Sequence, residues 1–185
     1  MTEGMPGNGM DLVVLKDHDP AWKVLFEAEK ASLVESLGPL ARSIEHIGST
    51  AIPGIRAKPV IDILVAVDDL RLEDVEVVLT RLGYVHVPIG DPERLFFRKG
   101  MPRTHHVHVV RQGGEERRRH LLFWDRLIAH PEEAAEYREL KEELARRFRE
   151  DREAYTDGKD RFIRSILERA DREERPSSQG AGWTQ

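Results

Sequence analysis

The run Val60-Ile-Asp-Ile-Leu-Val-Ala-Val67 is apolar and mostly β-branched apart from one carboxylate. Such a run suits a central strand covered on both faces, so the chain around it must supply helices to either side. It falls well short of the ~20 apolar residues that a membrane-crossing helix needs. Asp62 is the anomaly. An unpaired carboxylate among Ile and Val side chains costs several kcal/mol or is forced to take a proton. Two readings follow from the residue alone: a structural carboxylate paired with Lys58 or an arginine at a strand end, or a carboxylate facing a cleft, where it binds a metal or a substrate.

The remaining pattern places helices and strands around that run. Leu12–Leu15 reads as a short strand. Asp19 and Pro20 then open a helix as cap and first-turn residues, and Trp22, Leu25, Phe26, Leu33, Val34 and Leu37 recur along it at helical spacing as far as Gly38-Pro39. Ser43–Ile47 predicts a second strand, ending in Gly48-Ser49-Thr50. Asp69–Leu82 predicts a helix stopped by Gly83. Tyr84–Pro88, Leu95–Arg98 and Thr104–Val110 predict three further strands, with His106, His108 and Val110 on one side of the last and His105, Val107 and Val109 on the other. Helices are then expected over His120–His130, Pro131–Phe148 and about Asp151–Glu174. The chain thus divides into a flexible start at 1–10, one domain over 11–175 with an α/β core (11–112) and a helical part (113–175), and a disordered tail over 176–185, rich in Ser, Gly and Gln.

Composition closes off several functions. The 185 residues are 39% hydrophobic and contain no cysteine, which excludes disulfides, a catalytic thiol and cysteine-held zinc or iron–sulfur sites. Any metal is left to Asp, Glu and the eight histidines. A net charge of −5 argues against a broad nucleic-acid surface. Between Arg138 and Arg175, twelve Lys and Arg are balanced by twelve Asp and Glu, so the last helices carry no basic face by composition. Arg117-Arg118-Arg119 reads as a solvated turn before a helix. The start of the chain lacks the basic flank and apolar run of a signal peptide, so a cytoplasmic protein acting on a small molecule, away from nucleic acid and membrane, is expected. The sequence leaves its oligomeric state open.

Gly48-Ser49 bears on Asp62. A glycine at a strand end lets the backbone approach a ligand closely, and the Ser49-Thr50 pair offers hydroxyl and N–H donors suited to a phosphate. Gly and Ser also cap many ordinary turns. Asp62 lies 13 positions beyond Ser49 on the next predicted strand, which would bring both to one edge.

The segment from His46 to Val65, HIGSTAIPGIRAKPVIDILV, resembles the signature of the GrpB family, whose members resemble the nucleotidyltransferase superfamily. Arg103-Thr-His-His-Val-His-Val109 resembles that family too. So does the stretch from His130-Pro131 through Tyr137 to Asp151-Arg-Glu-Ala-Tyr155, Lys159 and Phe162-Ile163. The resemblance covers roughly Leu12–Leu167. It implies an α+β, polymerase-β-like fold: a nucleotidyltransferase-like mixed β-sheet flanked by helices, with a helical C-terminal part. It also implies a cleft that binds a nucleoside triphosphate or another phosphorylated or acidic small molecule.

By that resemblance Gly48, Ser49 and Thr50 meet the phosphates and Asp62 holds a divalent metal. The superfamily's second carboxylate is absent, because Leu64 stands in its place. Where a third is expected on a later strand, the chain carries His106 and His108. Asp62 with these two histidines has the inventory of a two-His, one-carboxylate site, which favours a transition metal such as Mn or Zn over Mg, and His46 could join it. The bland alternative is that the histidines satisfy themselves on a half-exposed strand. On the last predicted helix, Tyr155, Lys159, Phe162, Ile163 and Ile166 share one face. Lys159 and Lys58 would neutralise phosphate beside Tyr155, or simply snorkel to water from the rim. His120 and His130 read as structural residues near helix ends.

Overall fold

A computed structural model describes residues 12–174, so the expectations for 1–10 and 176–185 lie outside the described residues. The strands are β1 (Ala41–Ile47), β2 (Ile61–Val67), β3 (Tyr84–His86), β4 (Arg94–Lys99) and β5 (His105–Arg111). The helices are α1 (Ala21–Leu37), α2 (Leu72–Arg81), α3 (Glu115–Ala129), α4 (Pro131–Arg147), α5 (Arg152–Asp157) and α6 (Asp160–Glu174). One mixed sheet has the order β1-β2-β5-β4-β3, parallel between β2 and β5 and antiparallel elsewhere. This is an α+β fold in which β2 is an inner strand.

The two-residue period of β2 sorts its side chains between the layers. Ile61, Ile63, Val65 and Val67 join Trp22, Phe26, Leu33 and Leu37 of α1 and Val75 and Leu79 of α2 in the main core. Leu64 and Ala66 point the other way, where Ile47, Val110 and Leu121 of α3 cover them. Each such side chain, fully buried, contributes about 1.5–3 kcal/mol. Asp62 is on the same face as Leu64, one pleat towards the strand's start.

Several local expectations are corrected. Leu12–Leu15 forms no strand; Val13 N–H donates to the Arg149 carbonyl, and Lys16 bridges Ala57. On α1, Leu25 and Val34 are exposed, because the helix meets the sheet along the narrower stripe Trp22, Phe26, Leu33 and Leu37. The buried polar residue on that stripe, Glu29, accepts from Tyr84 Oη at 2.9 Å and from Lys99 Nζ at 2.8 Å, tying α1 to β3 and β4.

α3 begins at Glu115, so Arg117–Arg119 is helical. Arg117 pairs with Glu45 at 2.6 Å and Arg118 with Asp171 at 2.5 Å. The expected last helix is two, α5 and α6, and Lys159 lies in the break between them. Asp151 caps α5 by accepting from Ala154 N–H at 2.9 Å. Gly158 ends it where a Cβ would stand 2.5 Å from Leu144 of α4.

The connection from β1 to β2 is held beneath the helical part. Its Ile52 and Ile55 pack with Leu127 of α3 and Tyr137 of α4, against Phe123, Trp124 and Phe162. A buried ion-pair set fastens the helices to one another: Arg126 reaches both oxygens of Glu133 at 2.6 and 2.9 Å, and Glu133 also accepts from Arg169 at 3.2 Å.

Candidate functional site

In the sheet, Ile47 pairs with Asp62 across the antiparallel β1–β2 ladder, and Asp62 pairs with His106 across the parallel β2–β5 ladder. The glycine after β1 therefore falls beside the carboxylate. Gly48 has φ +73, a left-handed conformation that favours glycine. A Cβ there would lie 2.5 Å from Asp62 Oδ2 and 2.9 Å from Asp62 Cβ. Two constraints, conformation and contact, thus require the same residue. Ser49–Ala51 then forms one turn of 3-10 helix, with the Ser49 side chain close enough to the Tyr137 hydroxyl of α4 to act on its pKa.

Asp62 keeps 28% of its side chain exposed, opening to the cleft. His106 Nδ1 lies 2.9 Å from Asp62 Oδ1, and His108 Nε2 lies 4.0 Å from the same oxygen. Burial alone would raise the Asp62 pKa. The hydrogen bond from His106, with the charges of His106, His108 and Lys58, outweighs burial and holds the carboxyl well below its usual range.

His108 Nδ1 is 3.3 Å from Arg94 Nη1, whose N–H donates to it, so the ring's proton resides on Nε2. Burial pushes His108 well below the ordinary histidine pKa and His120 down to about 4. The two rings lie 5.4 Å apart, and Phe96 contacts both His106 and His108 at 5.0 Å.

The expected ligand set is not assembled as a metal cluster. Among the described residues no group of three or more His, Asp or Glu side chains is arranged to hold a metal ion. Asp62 Oδ1 is engaged by His106. His46 pairs with Ile63, not with Asp62, so the parity of the strand turns it to the opposite face. There it stacks on Phe26 at 4.7 Å and lies 3.0 Å from Thr50 Oγ1, and burial lowers its pKa to about 4. Thr50, buried, reaches the Val60 carbonyl at 3.4 Å. His46 and Thr50 brace the turn; Thr50 also borders the cleft.

The opposite wall carries lysines alongside Glu150, Asp151, Glu153 and Asp157. The cavity, about 1040 Å³, runs from Asp62, His106 and His108 to Lys58, Tyr155 and Lys159. Lys58 Nζ and Lys159 Nζ each lie 4.8 Å from the centroid of the Tyr155 ring. Lys141, 2% exposed, lies beneath them with Nζ donating to the Arg56 carbonyl and 5.3 Å from the Tyr137 ring. Burial, and then Lys159, pull its pKa down to about 7.

Sequence reasoning brought Ser49, Thr50, Lys58, Asp62, His106, His108, Tyr155 and Lys159 to this cleft, with Gly48 against Asp62, and missed Lys141, Arg94, Phe96 and Arg103. Two signals were there to use. Lys141 interrupts the apolar stripe Tyr137, Leu140, Leu144 as Lys159 does its own, and Arg94 and Phe96 share one face of a strand by their i, i+2 spacing.

Against this geometry, the family model described as GrpB protein matches residues 12–169. The chain belongs to the GrpB family. It is 44% identical over 170 residues to a UPF0157 protein of Pseudomonas aeruginosa, covering 86% of this chain and 68% of that one. It is 39% identical over 165 residues to the glutamate-rich protein GrpB of Alkalihalophilus pseudofirmus, covering 84% of this chain and 94% of that one. The crystal structure of GrpB from Enterococcus faecalis superposes with a TM-score of 0.79 at 35% identity, over 87% of this chain and 99% of that one. The GrpB match reaches from the segment before α1 into α6, so both walls of the cleft are within the family's region. No helix among the described residues is long and apolar enough to cross a membrane.

Proposed function

We propose that this GrpB protein binds a nucleotide, or another phosphorylated small molecule, in the cleft between Gly48-Ser49/Asp62 and the lysine wall, and acts there as a nucleotidyltransferase-like enzyme. The observation that carries this reading is the placing of Lys58 and Lys159 at equal 4.8 Å distances from the Tyr155 ring, across one cavity from an ionised Asp62. Two ammonium groups over an aromatic platform suit a phosphate group. The Ser49 turn, with its backbone pressed against Asp62, offers a second set of donors on the facing wall.

In nucleotidyl transfer, the acceptor's oxygen or nitrogen attacks the α-phosphorus and pyrophosphate leaves. The lysines neutralise the leaving charge, and the Asp62–His106 pair faces the acceptor's proton. A divalent cation, when bound, would supply further stabilisation of phosphate charge. The residues fit one oxygen-preferring ion that draws most of its ligands from phosphate and water, with Asp62 as the protein's carboxylate. They do not fit the two-His, one-carboxylate set, since His106 already engages Asp62 and His46 faces away. Leu64 is fully buried between Ile47 and Val110, so its place on β2 supplies no second carboxylate beside Asp62. That observation favours a second reading, in which the cleft binds the phosphorylated ligand without transferring a nucleotidyl group.

Calorimetry with nucleoside triphosphates, with and without Mg²⁺, tests the proposal. Binding that is lost in Asp62→Ala and in Lys159→Ala supports it, and release of pyrophosphate on adding acceptors separates the first reading from the second. Absence of binding by any phosphorylated compound overturns both.

A further inference from the structure

Lys141 is a deeply buried residue of the cleft with little to hold its charge. As an ammonium it has three donors. Among the described residues the acceptor its Nζ reaches is the Arg56 carbonyl, and its other close neighbour is the Tyr137 ring. It makes no ion pair with a carboxylate among those residues, and it is 98% removed from solvent.

The charges facing it come from four directions. Lys58 on the β1–β2 connection and Lys159 between α5 and α6 oppose a positive charge, while Asp62 on β2 and Glu142 on α4 itself favour one. Arg56, whose carbonyl Lys141 holds, points its guanidinium away towards Asp17 at 2.9 Å and Glu142 at 3.7 Å. Tyr137, one turn before Lys141 and against its Nζ, neighbours Ser49, and Lys141 and Ser49 border one cavity, so the amine adjoins both walls that a phosphate would touch.

We propose that at pH 8 Lys141 of the free protein is a neutral amine and takes up one proton when the phosphate end of the ligand docks beside Lys58 and Lys159. Its ligand is therefore a multivalent anion whose binding consumes a proton. This rests on the reading that the cleft binds a phosphorylated molecule. The proton comes from solvent and is received by the Nζ lone pair; no other bond forms or breaks. The direction agrees with a lysine held at about 7 by burial and by Lys159. An anion arriving against three lysines restores the charged form, and the free energy of protonation becomes part of the binding. A bound dianion thus gains a third cationic contact that is absent from the resting protein, which favours a di- or triphosphate end over a singly charged group.

The test is calorimetry of the full chain with inorganic pyrophosphate and Mg²⁺ at pH 8, in three buffers of different ionisation enthalpy. The expected result is that the wild type takes up about one proton more per pyrophosphate than Lys141→Arg or Lys141→Met. Its affinity should also fall about tenfold per pH unit above pH 8 relative to the Lys141→Arg variant. Equal proton numbers in wild type and variants, with pyrophosphate bound in all, overturn the inference and leave the phosphate-binding reading standing. Absence of binding by the wild type overturns both. Should neither variant fold, ¹³C titration of the lysine Cε signals in the free wild type decides. One signal moving near pH 7 and displaced upward by pyrophosphate supports the inference; all signals titrating in the ordinary lysine range overturn it.

Discussion

Gly48 and Asp62 touch across the β1–β2 pair: a Cβ on the glycine would stand 2.5 Å from the carboxylate Oδ2 and 3.0 Å from its Cγ. Gly48→Ala therefore meets both a left-handed backbone costing about 1–2 kcal/mol and a collision with the base of the Asp62 side chain. Relief requires Asp62 to turn away from His106. The expected outcome is a melting temperature lowered by about 2–8 °C, together with loss of phosphate-ligand binding. Thermal melts and calorimetry on the same preparation check it.

Lys58 and Lys159 should contribute separately to anion binding. Lys58→Ala and Lys159→Ala are each expected to weaken binding of a nucleoside triphosphate by about tenfold or more, and both losses should shrink as salt is raised. Tyr155→Leu keeps the lysines but removes the ring between them. A milder loss of affinity is expected there, read by the same titration.

His46 and His120 are both half-buried, with pKa values lowered to about 4, below the ordinary ~6.5 of an unfolded chain. Between those values the unfolded chain binds more protons, so stability is full above about pH 6.5 and declines as the pH falls towards 4. Denaturation midpoints measured from pH 7 to pH 4 should fall along that window. His46→Gln and His120→Gln should each flatten the slope, whatever they do to stability at pH 7.

The buried Arg126–Glu133 pair makes the opposite prediction about function. Both side chains are under 10% exposed, and Glu133→Gln leaves Arg126, among the described residues, with the exposed Glu173 as its charged partner. Breaking such a pair costs about 3–5 kcal/mol. A melt should reveal that loss, while pyrophosphate affinity below the transition stays within about twofold of wild type, because the pair borders no part of the cleft.

Much of the cleft could be read from residues that conflict with their surroundings. Asp62 in an apolar strand, Lys159 in an apolar stripe and a glycine ending a strand each disobey their local pattern; the first two line the cavity and the glycine abuts Asp62. Strand period also sorted His106 and His108 from Val107 and Val109 correctly. His46 was misjudged because proximity in sequence to Gly48 does not reveal the parity of the strand; pairing with Ile63 does, and that is set by register. The start of α3 was hidden because Arg117 and Arg118 are steadied by Glu45 and Asp171, partners distant in sequence. Lys141 broke the stripe Tyr137, Leu140, Leu144, but a lysine there could equally have reached water from the rim. Only the packing of α4 over the Ile52–Ile55 segment encloses it.

The cleft's walls come from opposite ends of the chain, Gly48–Asp62 on one side and Lys141–Lys159 on the other. During synthesis at about 5–20 residues per second, some 5–20 s separate the emergence of Asp62 from that of Lys159. The nascent sheet in that interval carries the Ser49 turn, Lys58 and Asp62 without Lys141, Tyr155 and Lys159, and so holds only half of the groups that would grip an anion. Ligand binding therefore reports completion of the chain: a molecule cut short before α5 would retain β1, β2 and β5, yet gain no protection from phosphate compounds against heat or protease.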